Sequence, residues 1–165
     1  MTQEDKDLLL KDLAARLPYG VSVYIKYKTG EPCYGKLTPK DIQWFIDSKI
    51  ETIKPYLRSL SSMTEEEKKE FERLIDEKLN KHIGQEDDEW TPWVLYDTTG
   101  IKNYVGGERF YFDEMSFIYD WLNKHHFDYR GLIEKGLALE APEIMYKHFG
   151  DMDVVVTSVE HKDKL

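Results

Sequence analysis

The chain has 165 residues, of which 41% are hydrophobic, 13% are aromatic and 33% are charged. This balance supports one sizeable hydrophobic core and excludes a disordered chain. The net charge of -9 argues against general binding to the phosphate backbone of nucleic acids, because that binding depends on basic side chains. We therefore expect one acidic globular domain over 1–165, with 1–60 and 61–158 as alternative lobes and 159–165 as a tail.

The sequence also bears on compartment and cofactor. Cys33 is the single cysteine, so no disulfide within the chain and no zinc-thiolate cluster can form. The first residues lack the basic start and apolar run of a signal peptide. No stretch has the length and apolarity of a membrane span. We expect a cytoplasmic protein that has no cofactor and does not contact a membrane.

The first 20 residues predict an amphipathic helix. Thr2 can cap its N-terminus, and Pro18 with Gly20 marks its end. The leucines that form its apolar stripe are Leu9, Leu10, Leu13 and Leu17.

The next segment predicts strands. Apolar and polar residues alternate over 21–27, and 33–37 returns as a partner strand. The segment 38–53 is ambiguous, because Thr38 and Pro39 are typical of a helix start, whereas its isoleucines and aromatic residues alternate. We favour two further strands, at 41–46 and 50–54, which complete a small antiparallel sheet.

Thr64 begins the clearest predicted helix, in which Glu67 completes a capping box. This helix is long and charged, and Gly84 ends it. Its apolar stripe consists of Phe71, Leu74, Ile75 and Leu79. Further predicted strands lie at 94–96 and 154–156, and Gly106-Gly107 predicts a hairpin between 101–105 and 109–112.

Residues 119–139 contain the most conspicuous cluster of polar and aromatic side chains. Asp120, His125, His126 and Asp128 are the kinds of residue that bind divalent metals. Ligands on one helix face need a spacing of three or four residues, however, and Asp120 and His125 are five apart.

The same segment also matches a packed corner of two helices. Asp113 would cap the first helix, and Asp128 would cap a short second one that ends at Gly136. The stripe of the first helix would be Phe117, Ile118, Trp121, Leu122 and His125. We favour this interpretation and assign no catalytic or metal-binding residue. The predicted fold is α+β, with an N-terminal helix, a small antiparallel sheet, one long charged helix and a C-terminal two-helix corner.

Three segments carry a resemblance to a known family: 15–21, 54–67 and 120–141. In these segments the chain resembles an uncharacterised family of small proteins from Bacteroides-type gut bacteria, often encoded in prophages or other mobile elements. It departs from the family pattern at Ser59-Leu60, where Pro-Met is usual, and at Ile144, where Gly is usual. The resemblance implies a bacterial cytoplasmic protein and a role in a mobile element, and it implies no reaction.

No convergent catalytic motif appears in the sequence, so our leading hypothesis is a non-enzymatic module that binds a protein partner and no nucleic acid. Its candidate binding residues lie in and beside a short acidic loop: Glu86, Asp87, Asp88, Glu89, Trp90 and Trp93. One alternative is an acidic decoy that occupies a nucleic-acid-binding protein. The other is a small metal-assisted hydrolase that uses His125, His126 and Asp128.

Overall fold

The computed structural model describes residues 1–79, 93–97, 100–105 and 116–146. These residues form an α+β fold, as predicted. The helices are α1 (Gln3–Arg16), α2 (Pro39–Ile46), α3 (Glu65–Leu79) and α4 (Ser116–Lys124). The strands are β1 (Ser22–Tyr27), β2 (Cys33–Lys36), β3 (Ile50–Leu57), β4 (Trp93–Asp97), β5 (Gly100–Val105) and β6 (Leu139–Glu140).

The chain divides into two compact units. Unit 1 consists of Met1–Leu57 and Ile133–Leu165, and unit 2 consists of Arg58–Leu132. Six predicted features lie outside the described residues: the helix end at Gly84, the acidic loop, the hairpin at Gly106-Gly107, the cap at Asp113, the strand at 154–156 and the tail at 159–165. No helix in the described ranges is both long enough and apolar enough to cross a bilayer.

Helix α1 of unit 1 agrees with the prediction. The Thr2 hydroxyl accepts a hydrogen bond from the main-chain N–H of Asp5, and the Asp5 carboxylate accepts one from the main-chain N–H of Thr2. On the inner side, Asp12 and Arg16 form a fully buried ion pair of 2.7 Å. The pair has two hydrogen bonds, of 2.7 and 3.2 Å, so the opposite charges offset each other where they are buried.

Four strands form the sheet of unit 1 in the order β2-β1-β3-β6. β1 pairs antiparallel with β2 and with β3, which confirms the predicted strands at 21–27, 33–37 and 50–54. β6 pairs parallel with β3, so the sheet is mixed and the prediction of a purely antiparallel sheet was wrong. The short β6 carries no periodicity that would reveal it, because two residues are too few to alternate.

A tyrosine side chain continues the ladder between β1 and β3. The Tyr146 hydroxyl accepts a hydrogen bond from the main-chain N–H of Ser22 at 3.1 Å and donates one to the carbonyl of Tyr56 at 2.8 Å. Burial raises the pKa of Tyr146 to about 12. The phenol therefore keeps its proton and pairs with two part-buried main-chain groups, one on β1 and one on β3.

The segment 41–46 is helical, so the predicted strand there was wrong. Thr38 and Asp41 form a capping box, and Pro39 occupies the first turn of α2. Proline is well suited to this place because its missing N–H has no helical partner there. The buried residues of α2 are Asp41 and Phe45, which are four positions apart and therefore lie on one face of a helix.

The core of unit 2 is formed by α3, α4 and the segments beside them. Thr64 and Glu67 form the predicted capping box of α3, and Phe71 of its stripe is fully buried. The stripe of α4 is buried as predicted at Ile118, Trp121 and Leu122. In the described part of unit 2, one cluster of buried residues consists of Leu60, Met63, Phe71, Ile118, Trp121, Leu122 and Phe127.

The predicted second helix of the C-terminal corner is absent, and the chain forms turns at 132–136. Gly131 and Gly136 both have φ of +69°. A left-handed residue at 131 breaks the run of right-handed dihedrals that a helix needs. The Asp128 carboxylate still accepts a hydrogen bond from the main-chain N–H of Leu132, at 2.9 Å, but it caps a turn.

Candidate functional site

Six polar and aromatic side chains from the described part of unit 2 lie together in what we call the Arg58–His125 cluster. It consists of Arg58, Glu67, Glu70, Trp121, His125 and Phe127. Two main-chain hydrogen bonds hold Arg58 in place. The N–H of Arg58 donates to the carbonyl of His126 at 2.8 Å, and the N–H of Asp128 donates to the carbonyl of Arg58 at 2.7 Å. This short parallel bridge places the Arg58 guanidinium 4.4 Å from the centre of the Phe127 ring.

Arg58 and Glu67 form a bidentate ion pair. The two hydrogen bonds measure 2.6 and 2.8 Å, and both side chains are mostly buried. The guanidinium also donates to the carbonyl of Ser62 at 3.2 Å. The same carboxylate accepts from the main-chain N–H of Thr64 at 2.9 Å, so Glu67 both caps α3 and holds Arg58.

The pKa of Glu67 reflects this double use. Burial raises it, but the hydrogen bonds from Arg58 and Thr64, together with the positive charge of Arg58, prevail and lower it to about 2. The carboxylate is therefore ionised at neutral pH. It is a fixed negative charge and not a proton donor.

His125 lies just beyond the last turn of α4. Its ring stacks on that of Trp121 with centroids 4.1 Å apart and an interplanar angle of 19°. Its Nδ1 lies 3.6 Å from Oε1 of Glu67, and its Nε2 lies 3.9 Å from Oε1 of Glu70. That Glu70 oxygen accepts a hydrogen bond from the Trp121 indole at 3.0 Å.

Two opposing effects determine the protonation of His125. Burial lowers the pKa of the imidazole, and the negative charges of Glu70 and Glu67 raise it. Burial prevails, so the pKa lies below its usual value of 6.5. The ring is therefore mainly neutral at pH 7.

Asp120, His125, His126 and Asp128 are of the types that bind divalent metals, although we assign no metal site to them from the sequence. Asp120 is exposed on α4, and His126 is 7% exposed with a left-handed φ of +59°. The Asp128 carboxylate binds a main-chain N–H, as described above. In the described part of the chain, no three His, Cys, Asp or Glu residues are grouped so that they could hold a metal ion.

The predicted binding residues of the acidic loop cannot be compared with the cluster. Glu86, Asp87, Asp88, Glu89 and Trp90 lie outside the described residues. Trp93 is the first residue of β4, whose backbone pairs antiparallel with β5. The predicted strand at 94–96 is thereby confirmed.

The sequence indicated one contact of the cluster, between Trp121 and His125, but not the ion pair between Arg58 and Glu67. Trp121 and His125 are four residues apart, which is the spacing of neighbours on a helix face, so their contact was visible in the sequence. Glu67 and Glu70 likewise share a face of α3. Arg58 was not visible in this way, because its partner Glu67 is nine residues away beyond a 3₁₀ turn at Leu60–Ser62.

Comparisons of the chain with protein-family models, with curated proteins and with solved structures found no match. They name no family to which the chain belongs. Functional inference therefore starts from the geometry of the described residues.

Proposed function

We propose that the protein is a non-enzymatic module that acts through binding to a protein partner. One observation carries the proposal: in the described part of unit 2, the Glu67, Glu70 and His125 side chains, which are of catalytic types, contact Arg58, Trp121 and one another. Glu67 is held by Arg58 and by the N-terminus of α3. His125 lies against Trp121 with a lowered pKa. We infer that these contacts stabilise unit 2, and that the protein acts through binding at its surface rather than through catalysis by these side chains.

The exposed side chains of the described residues support the same proposal. Tyr34 is 42% exposed and Tyr119 is 44% exposed, and tyrosine is enriched in protein interfaces. The Tyr119 ring lies 5.3 Å from that of Tyr129, which is itself in contact with the Arg130 guanidinium. The resemblance to proteins of mobile elements supports a bacterial and mobile-element setting, which is part of the proposal.

Affinity capture tests this function. The full chain, with a tag at one end, is incubated with a lysate of its source organism, and the pure protein is run on size exclusion with light scattering. We expect either a stoichiometric protein partner or a defined self-association. A tagged unrelated acidic protein of the same size is the control for capture by charge alone. A monomer that captures nothing above this control would overturn the proposal.

The two alternatives receive less support from the geometry. A hydrolase would need His125, His126 and Asp128 to act on one substrate, but the carboxylates beside His125 are Glu67 and Glu70. An acidic decoy would need a continuous face of unpaired carboxylates. In the first turn of α3, Glu65 pairs with Lys68 and Glu67 pairs with Arg58, so this turn does not supply such a face.

A further inference from the structure

The strand β2 has an open main-chain edge. Within the described residues it is the end of its sheet, and its four residues are all exposed. The N–H of Leu37 donates to the carbonyl of Val21 at 2.9 Å, which makes these two residues a hydrogen-bonded pair of the ladder. Hydrogen-bonded and non-hydrogen-bonded pairs alternate along an antiparallel ladder. The main-chain N–H and C=O groups of Tyr34 and Lys36 therefore point away from β1.

The side chains beside this edge form what we call the tyrosine–lysine face: Tyr24, Lys26, Tyr34, Lys36 and Lys54. The register of the sheet places them together, since Tyr24 lies opposite Tyr34 on one side and Lys54 on the other. The rings of Tyr24 and Tyr34 have centroids 5.3 Å apart. The other face of the sheet carries Val23 and Ile25, which are buried in the core of unit 1.

The charge of this face is opposite to that of the chain. Lys36 is exposed and lies on the open strand, and Lys54 is half-buried on β3. Lys26 is offset by Glu51, to which it is bound at 2.9 Å. In a chain of net charge -9, this local excess of lysine favours an acidic occupant. It disfavours a second copy paired edge to edge, because such pairing brings two lysine-bearing strands together.

We propose that β2 binds an extended acidic peptide segment of a protein partner. The segment adds to the sheet as a further strand and bonds to the outward main-chain groups of Tyr34 and Lys36. Its alternate carboxylates lie against the tyrosine–lysine face. In strand addition of this kind, the main chain supplies affinity and the alternate side chains supply specificity. This inference rests on the proposed function, for which it names the surface and the chemistry of the partner.

A peptide titration followed by NMR tests the proposal. The probe is a synthetic peptide of alternating Glu and Val, about eight residues long so that it spans a strand. It is titrated into the isotope-labelled full chain. We expect amide shifts centred on Tyr34 and Lys36, slower solvent exchange of these two amides, and weaker binding at higher salt. A peptide of alternating Lys and Val is expected to cause none of these changes.

Two variants separate the main-chain and charge contributions. Lys36→Pro removes an outward N–H without removing a bond to β1, which is the placement that an edge strand tolerates for proline. Lys36→Glu reverses the charge beside the bound strand. We expect each to weaken peptide binding by about tenfold or more. Lys11→Glu makes the same charge change at an exposed position on α1 and is expected to leave binding unchanged.

Three results would overturn the proposal. The acidic peptide could cause no amide shifts, or it could bind folded Lys36→Pro protein as tightly as wild type. Thirdly, oligothymidylate could shift the amides of β2 while the acidic peptide does not. The last result would assign the face to single-stranded nucleic acid. The spectrum of each free variant shows whether it is folded. If Lys36→Pro does not fold, the effect of Lys36→Glu on peptide binding decides the test. If a captured partner binds every β2 variant equally, the proposed function still holds. In that case only the inference that β2 is the binding site is wrong.

Discussion

The carboxylate of Glu67 binds the guanidinium of Arg58 through two hydrogen bonds and, at the same time, caps the first turn of α3. A local helix signal and a tertiary ion pair thus depend on one side chain. Since Arg58 also covers the Phe127 ring and is fixed by main-chain bonds to His126 and Asp128, this pair joins three segments of unit 2.

Replacement of Arg58 is expected to destabilise the protein. Arg58→Ala removes the bidentate ion pair with Glu67. The mostly buried carboxylate of Glu67 then keeps its hydrogen bond from the main-chain N–H of Thr64 but has lost both from Arg58. We expect the free energy of unfolding, measured with urea, to fall by about 2–3 kcal/mol. Arg73→Ala is the control, because Arg73 is largely exposed and its Nε lies 3.9 Å from the exposed carboxylate of Glu77. A loss for Arg58→Ala no larger than that of the control would contradict a stabilising role for the pair.

The low pKa of Glu67 predicts acid sensitivity. The carboxyl has a pKa of about 2 in the folded protein and an ordinary value of 4.5, so the unfolded chain binds more protons between these values. Stability from this group is fully present above about pH 5 and is lost as the pH falls towards 2. In Glu67→Gln, urea unfolding between pH 5 and 3 is expected to show a smaller loss than wild type. Glu77→Gln, at an exposed position, is expected to retain the wild-type dependence.

The stacked imidazole predicts a second pH dependence at higher pH. Burial lowers the pKa of His125, so the unfolded chain binds more protons than the folded one below the ordinary value of 6.5. Stability from the neutral ring is present above pH 6.5 and declines as the pH falls through the lowered pKa. An NMR titration, in which His125→Gln assigns the resonance, is expected to place its midpoint below 6.5. A midpoint at or above 6.5 would mean that the charges of Glu67 and Glu70 outweigh burial.

The helical state of 39–46 depends on its cap. Thr38→Ala removes the hydroxyl that accepts the main-chain N–H of Asp41 at 3.3 Å. We expect a loss of about 1 kcal/mol in the free energy of unfolding. Thr29→Ala, in an exposed turn, is the matched control and is expected to change stability by less than about 0.5 kcal/mol. Equal effects of the two substitutions would argue against the capping box.

Gly131 distinguishes the observed turn from the predicted helix. In a helix, Gly131→Ala would stabilise the protein, because alanine has the higher helix propensity. At the observed φ of +69° the left-handed backbone penalises a Cβ, so we expect a loss of about 1–2 kcal/mol. No atom lies within 4 Å of that Cβ, so crowding does not add to the effect. Gly35→Ala, which is equally open and does not have a left-handed φ, is expected to be close to neutral.

Local signals predicted much of the fold. The caps at Thr2 and Thr64 and the buried stripe of α4 were read correctly, because a cap or a helical stripe is defined within a few residues of chain. The strand prediction at 41–46 failed although a capping box was present there. A period of two over a few residues is weak, and the local cap with Pro39 was the stronger signal.

The candidate site was predicted only in part. His125 was recognised on the apolar face of α4, and its contact with Trp121 follows from their spacing. Its carboxylate neighbours come from α3, which is more than 40 residues earlier in the chain. No periodicity reports a contact across that separation. The same limit applies to β6, whose parallel pairing with β3 joins residues about 80 positions apart.

The sequence by itself determined where most helices and strands of this protein begin, since caps, prolines and apolar periods act over one or two turns of chain. Only the tertiary structure decided that Glu67 binds Arg58 as well as capping α3, that His125 lies beside Glu67 and Glu70 with a lowered pKa, and that Gly131 is left-handed. These outcomes depend on burial and on partners that are distant in sequence. Burial shifts the pKa of a side chain and strengthens or weakens an ion pair, and a side chain is buried only after the chain has folded.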